Sequence, residues 1–410
     1  MSMDAAVDQV DPREVLALLL VEGLGQTLIR RGLEAFGSAD EMLGASAERL
    51  STLRGLSPAK AERVAAALSR PDVMTAADRE LEQAEASGTR MLVLGHPDYP
   101  KLLSLIPDPP VLLWVRGELE PQDAVSLGIV GSRKASSYGL EQATRFAAEG
   151  AAAGLTIVSG GARGIDGAAH RAVLRQREIG GGGRTLAVIG SGLDRPYPAE
   201  HRGLFRGIVA SGAGAVLSEH PLEVGPRAGH FPARNRIISG LSLGTLVVEA
   251  AVRSGALITA RLAVEDHGRE CLALPGRVDA PMSAGCNDLI RRGGATLVTS
   301  VREVLDQFGE PGRALLGAVH APAVPLAPAS ASAPSSASAH APVSEPIAVA
   351  KPKPELEGDA SRIWDALTTP LEVDALIATT GLPAATVQSQ LTLLEMRKHV
   401  RRDGRCFRRD

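Results

Sequence analysis

Between residues 123 and 310, short apolar runs alternate with glycine-rich loops and helical stretches, and that alternation leaves the chain few ways to fold. The runs lie at 125–130, 155–158, 185–189, 215–217, 245–248, 270–274 and 296–298. A strand buried on both faces reads as a continuous apolar run, and strands separated by helices must pair in parallel. The expected fold is therefore α/β: a Rossmann-like, doubly wound, mostly parallel sheet with helices on both faces. Two more strand-like runs, 91–94 and 111–115, flank a proline-rich turn ahead of it.

The remainder of the 410 residues divides around this centre. Residues 1–70 read as short helices broken at Gly23-Leu24-Gly25 and again at Gly55-Leu56-Ser57. Two helices joined through glycine, an apolar residue and glycine resemble a helix-hairpin-helix (SAM-like) unit, whose turn amides can meet a phosphate. The second copy has serine in place of the closing glycine, so the reading kept is a helical packing domain. Residues 71–122 connect it to the sheet domain at 123–310. Residues 311–355 are dominated by Ala, Pro and Ser and cannot bury enough surface to offset their ordering entropy, which predicts a disordered linker. Residues 356–410 carry helical spacing at 361–367, 373–379 and 384–398, then a hairpin around Asp403-Gly404, the pattern of a winged helix. Its end is basic: Arg397, Lys398, Arg401, Arg402, Arg405, Arg408 and Arg409 face only Asp403 and Asp410.

Composition restricts the partners. A formal net charge of −3 excludes a uniformly basic coating protein, so contact with nucleic acid must come from local patches. Aromatic residues make up only 3%, which argues against a broad base-stacking surface. The three cysteines, Cys271, Cys286 and Cys406, are distant and odd in number, which fits neither a disulfide framework nor a zinc site. No apolar stretch approaches the roughly 18 residues of a membrane span, and no basic leader opens the chain. The expectation is a soluble, cytoplasmic protein with no membrane contact.

Ligands of open α/β sheets bind beyond the carboxyl ends of the strands. Here those ends are Gly131-Ser132-Arg133, then Ser159-Gly160-Gly161-Ala162-Arg163-Gly164-Ile165-Asp166, then Gly190-Ser191-Gly192, Ser218-Glu219 and Glu249-Ala250, followed by Ser254-Gly255-Ala256-Leu257-Ile258-Thr259. Glycines allow close approach, amides at helix starts attract anions, and Arg133 and Arg163 suit phosphate geometry. The crevice reads as a phosphate site. His230-Phe231-Pro232-Ala233-Arg234-Asn235-Arg236 adds an aromatic and two arginines beside it, the combination expected for single-stranded nucleic acid. The bland alternative for this stretch is a loop with solvated arginines. No G-x-G-x-x-G, P-loop lysine, hydrolase triad or metal-ligand cluster occurs, so neither a cofactor nor a metal is expected. His170, a turn beyond Asp166, reads as a packing histidine and Asp166 as a helix cap that orders the loop.

Taken in order, Ile129-Val130-Gly131-Ser132-Arg133, Ser159 to Asp166, Tyr197-Pro198, Phe231 to Leu241, Ser254 to Ala260 and Pro275-Gly276 resemble the DNA-processing protein A family (DprA, also called Smf) over about 90–310. The resemblance implies a non-catalytic protein that binds and protects incoming single-stranded DNA and loads the recombinase RecA in natural transformation and recombination. It also implies a homodimer formed through the Rossmann-like domain, and displacement of single-strand-binding protein. Carried onto this chain, Gly131, Ser132 and Arg133 would hold a phosphate with Ser159, Gly160, Arg163 and Gly164 beside them. Phe231, Arg234, Asn235 and Arg236 would line the strand path, and Ser254, Gly255 and Thr259 would complete the anion pocket. Ala233 and Ala256 depart from the family's usual lysine and serine, each removing one phosphate contact.

The rival reading is an enzyme. Nucleoside-monophosphate glycosidases of the lysine-decarboxylase-like family share such a sheet, and Gly244-Thr245 to Glu249 is loosely similar to their motif. Those enzymes carry Pro-Gly-Gly just before the Gly-Thr, where this chain has Gly240-Leu241-Ser242-Leu243. A nicotinamide-dependent oxidoreductase is disfavoured by the missing glycine fingerprint.

Overall fold

The computed structural model describes residues 11–320 and, of the C-terminal segment, residues 358–367, 371–380, 382, 387, 391, 394, 400–403 and 406–409. The chain forms two compact units, Met1–Pro325 and Leu326–Asp410.

The first unit is organised by one sheet of nine strands, β1 (Thr89–Val93), β2 (Leu112–Gly117), β3 (Ser126–Val130), β4 (Thr156–Ser159), β5 (Arg184–Val188), β6 (Gly214–Ser218), β7 (Gly244–Val247), β8 (Glu270–Ala273) and β9 (Thr296–Leu297). Their order across the sheet is β1-β2-β6-β5-β4-β3-β7-β8-β9. The pairs β1–β2 and β2–β6 are antiparallel, and every other pair is parallel. Every run read as a strand is one. The expected fold class is the observed one.

Strands β3 to β7 are buried along their whole length, which is why their runs show no polar alternation. Successive side chains still serve opposite faces. Leu127 and Ile129 of β3 pack with Phe146 and Ala147, while Val130 and Val158 meet Ile237, Ile238 and Leu241 on the other side.

Six helices precede the sheet: α1 (Pro12–Leu20), α2 (Gln26–Phe36), α3 (Ala39–Leu43), α4 (Ala47–Ser51), α5 (Pro58–Leu68) and α6 (Asp72–Ala86). Both glycine breaks seen in the sequence are turns, with φ of +96° at Gly23 and +100° at Gly55, where a Cβ would be strained. Helix α6 lies in the stretch expected to be a connector. It packs on α1, and Asp78 accepts from Arg13 Nη2 at 2.7 Å. The core of this helical layer runs on into Leu112, Trp114, Ala187 and Val216 of the sheet.

Between and after the strands come α7 (Lys101–Ser104), α8 (Ser137–Ala152), α9 (Ile165–Glu178), α10 (Arg202–Ala210), α11 (His230–Leu241), α12 (Ala256–Arg261), α13 (Ala284–Arg291), α14 (Val301–Gln307) and α15 (Gly309–His320). Helix α15 occupies positions where the Ala/Pro/Ser linker was expected to begin. Leu315 packs against the core under α8 and α14, and that apolar anchor outweighs the small-residue composition. Residues 321–355 of the expected linker lie outside the described residues. No described helix is long and apolar enough to cross a membrane.

The second unit holds α16 (Gly358–Ala366), β10 (Leu371–Glu372), α17 (Val373–Thr380), β11 (Val400–Asp403) and β12 (Cys406–Arg409). β12 pairs antiparallel with β10 and β11, Asp403 facing Cys406, which is the hairpin read from the sequence. Of the third expected helix only residues 387, 391 and 394 are described. They are helical and buried, with Ile363, Trp364 and Phe407 in the same core. Arg401 is exposed; the other basic side chains noted at this end lie outside the described residues.

Candidate functional site

Strand β3 lies between β4 and β7, so the connections leave it in opposite directions and open a crevice beyond its carboxyl end. The loop there is pinned on both sides. Ser132 donates its amide to Glu249 O at 2.7 Å, and its carbonyl accepts from Ile165 N at 3.2 Å. Such packing excludes side chains from the glycines: a Cβ on Gly131 would sit 2.5 Å from Ile165, and one on Gly164 would sit 2.2 Å from Ser132 O. Gly164 also has φ of +75°. With Ser132 turned inward to accept from Lys134 N at 3.1 Å, Arg133 and Lys134 project into solvent.

The crevice is a cleft of about 720 Å³ between this loop, α11 and the start of α12. Of the residues expected at the site, Gly131, Ser132, Arg133, Phe231, Arg234, Asn235, Ser254, Gly255 and Thr259 line it. Phe231 through Arg236 sit on helix α11, not on the loop that the bland reading supposed. Lys134, Arg253, Asp166 and Met282 line the cleft as well. The signal for Lys134 and Arg253 was their adjacency to Arg133 and Ser254. Met282, some 30 residues further along, carried none.

The other expected residues do different work. Ser159 is buried and donates to Ile129 O at 2.6 Å, tying β4 to β3. Gly160 makes room for two buried side chains, since a Cβ there would fall 2.5 Å from Arg234 Nη1 and 2.6 Å from Asp166 Oδ2. Arg236 turns away from the cleft. Its guanidinium donates to both carboxylate oxygens of Glu219, at 2.8 and 2.7 Å, and to Asp108 O at 2.9 Å. Arg163 lies beyond the rim and pairs with Glu200. Asp166 does not cap α9, whose N-cap is Gly164; it accepts from Ala162 N at 3.4 Å and so orders the loop.

Charge is distributed unevenly over the cleft. Arg234 forms its floor, 3% exposed, donating to the carbonyls of Gly160 and Val188. Burial pushes its guanidinium down to about 10 and raises the neighbouring Asp166 carboxyl above its ordinary value. At the mouth, Arg133, Lys134 and Arg253 are exposed and make no ion pair among the described residues. The Arg133 guanidinium stands 5.2 Å above the Phe231 ring, close enough for cation–π attraction. The cleft thus offers cations free of ion pairs among the described residues, and one aromatic face.

Two titratable groups near the strand ends, Glu249 and His170, lie outside the cleft lining and are engaged within the fold. Glu249 accepts from Ser136 N at 2.8 Å and from Ser136 Oγ at 2.6 Å, and Ser136 in turn caps α8 by accepting from Gly139 N at 3.1 Å. His170 is fully buried against Thr185 Oγ1 at 2.7 Å, and burial lowers its pKa to about 3. Among the described residues no group of His, Cys, Asp or Glu could hold a metal ion.

The family model described as DNA recombination-mediator protein A matches residues 90–309, and that of the DprA winged helix domain matches 348–404. Protein Smf of Escherichia coli is 48% identical over 213 residues, spanning 52% of this chain and 55% of that protein. Protein Smf of Synechocystis sp. is 33% identical over 399 residues, spanning 93% of this chain and 94% of its own. The X-ray structure of DNA processing protein A from Streptococcus pneumoniae superposes with a TM-score of 0.61 at 36% identity, covering 73% of this chain and 99% of that one.

Proposed function

The chain belongs to the DNA recombination-mediator protein A family, which takes in DprA and Smf, and from that premise we propose that it binds single-stranded DNA without sequence preference through the cleft at the end of β3. The observation that carries this reading is the mouth of the cleft. Arg133, Lys134 and Arg253 stand around a pocket edged by Phe231 without an ion pair among the described residues, and guanidinium or ammonium groups there can neutralise phosphates while the ring stacks a base. Ser254, whose Oγ accepts from Ala256 N at 3.3 Å, adds a hydroxyl beside them on the same cleft.

Membership of the family supports a fuller role as part of this proposal. The protein protects incoming strands in the cytoplasm, displaces single-strand-binding protein and delivers RecA in natural transformation and recombination. It works as a homodimer through the sheet domain, with the winged helix as a second contact for nucleic acid or an acidic partner. We read the cleft as a binding surface and not a reaction centre. The glycosidase alternative needs a free carboxylate at Glu249, and that carboxylate is taken up by the start of α8.

The test is the affinity of the full chain for fluorescent oligo-dT against the matching duplex at two salt concentrations. Tight, salt-sensitive preference for the single strand supports the reading. Equal binding to both, or release of free base from nucleotides by the purified protein, brings the glycosidase forward.

A further inference from the structure

A row of half-buried aromatic rings and exposed arginines leaves the cleft on the side of Phe231. The ring of Tyr197 lies 5.5 Å from that of Phe231, tilted by 54°. The Arg163 guanidinium stands 5.9 Å from the centre of the Tyr197 ring, as Arg133 stands 5.2 Å from that of Phe231. Two arginine–aromatic units therefore follow one another, the first inside the cleft and the second outside it. Each unit offers what one nucleotide of a single strand needs, a cation for the phosphate and a face for the base.

The second unit differs from the first in one respect. Arg163 is engaged by the carboxylate of Glu200, with 54% and 49% of the two side chains exposed. Buried arginines of this domain frame the fold: Arg234 holds two main-chain carbonyls and Arg236 holds Glu219. The Arg163–Glu200 pair lies at the surface, and an exposed pair of this kind adds little to stability. A carboxylate does present a guanidinium with the same paired oxygens as a phosphate. Arg163 in turn keeps the Glu200 carboxyl below its usual range, so the pair is intact at neutral pH.

We propose that Tyr197 and Arg163 form a second nucleotide subsite of the strand path, and that Glu200 occupies the phosphate position of Arg163 while no strand is bound. The proposal rests on the single-strand reading above. Glu200 takes up the Arg163 Nε–H, so a phosphate can use the whole guanidinium fork only once the acid has moved, and the acid holds affinity below what the arginine alone would give. The subsite is built for one further nucleotide of single-stranded DNA, and it recognises the backbone and a base face, not a base identity.

The experiment is anisotropy titration of the full chain with labelled oligo-dT at low and high salt, comparing wild type with Glu200→Gln, Arg163→Ala, Tyr197→Leu and Tyr197→Phe. A 2-aminopurine placed in the oligonucleotide reports stacking by its quenching. Glu200→Gln is expected to bind about two- to fivefold tighter at low salt, the order that an exposed ion pair supports, with the gain fading at high salt. Arg163→Ala should erase that gain when combined with it. Tyr197→Leu is expected to weaken binding about fivefold or more and reduce quenching, the lower end of one base–aromatic stack, while Tyr197→Phe stays within about twofold of wild type. Wild-type binding with an unchanged or weakened Glu200→Gln overturns the proposal and leaves the single-strand reading standing; so does a folded Tyr197→Leu that binds and quenches like wild type. Should Tyr197→Leu fail to fold, the surface variant Glu200→Gln decides alone. Absence of oligo-dT binding by wild type removes both readings together.

Discussion

Arg133 and Arg234 line the same cleft, yet one faces solvent and the other is 3% exposed with its guanidinium on the carbonyls of Gly160 and Val188. Their alanine or methionine variants should therefore fail differently. Arg133→Ala removes a charge-assisted phosphate contact, worth about 1.5–3 kcal/mol, so affinity for oligo-dT should fall at least tenfold with the melting temperature unmoved. Arg234→Met leaves two buried carbonyls without a donor, at about 1–3 kcal/mol each, so its first effect should be a lower melting temperature. Thermal unfolding beside anisotropy titration separates the two; an Arg234→Met that melts like wild type would refute the structural assignment. This is also where the sequence stops being legible. Glycine, serine and arginine at the strand ends announce an anion site, and Gly131, Ser132, Arg133, Ser254 and Gly255 indeed line the cleft. Residue type does not say which way a side chain turns. Ser159, Arg234 and Arg236 share the motifs but point into the fold, because each lies on an element whose inner face meets unpaired carbonyls or a buried carboxylate.

Elements set the loops in place, and two side chains show how. Glu249 at the end of β7 reaches across to Ser136 and holds the start of α8, an arrangement equivalent to an added helix cap. Glu249→Gln should lower stability by about 1 kcal/mol, the usual scale of a cap, and leave base release from nucleotides at the background of wild type. A base-release rate in wild type that the substitution abolishes would instead make Glu249 a reacting group. His170 locks α9 to the sheet. Thr185 Oγ1 donates to Ile157 O at 2.7 Å, so it accepts from His170 Nδ1–H, and the ring is neutral in the folded protein. Its pKa falls from 6.5 to about 3 through burial. A group with a depressed folded pKa contributes stability that is complete above the unfolded value, near 6.5, and lost as pH falls toward 3. Urea unfolding at pH 7, 5.5 and 4.5 should show wild type losing its advantage over His170→Gln step by step. A difference that stays constant with pH would mean that the histidine titrates alike in the folded and unfolded chain, and would refute its burial as a neutral ring. Strand positions were readable because parallel strands must be apolar throughout. Helix α11 was not recognised as a helix, since Pro232 and the paired arginines of Arg234-Asn235-Arg236 mask its apolar face, Ile237, Ile238 and Leu241.

At the scale of the molecule, a formal net charge of −3 sets the terms on which a polyanion can approach. Such a body offers no long-range steering, so association should lack the acceleration seen with basic binding proteins, and affinity must come from contacts made after encounter. Those contacts can be counted. Three cations at the mouth of the cleft, Arg133, Lys134 and Arg253, are free of ion pairs among the described residues. Each phosphate neutralised on a single strand contributes about −0.7 to the slope of log affinity against log salt, so the sheet domain predicts a slope of about −2 per chain. Arg133→Ala should flatten it by about 0.7, equally for oligo-dT and for mixed sequences, because phosphates carry no sequence. A wild-type slope near zero would contradict phosphate binding at the cleft. A slope well beyond −2 that Arg133→Ala still flattens by one phosphate would mean that cations outside the cleft share the strand. Arg163, once Glu200 is displaced, is one such cation on the sheet domain, and Glu200→Gln should then steepen the slope toward one more phosphate.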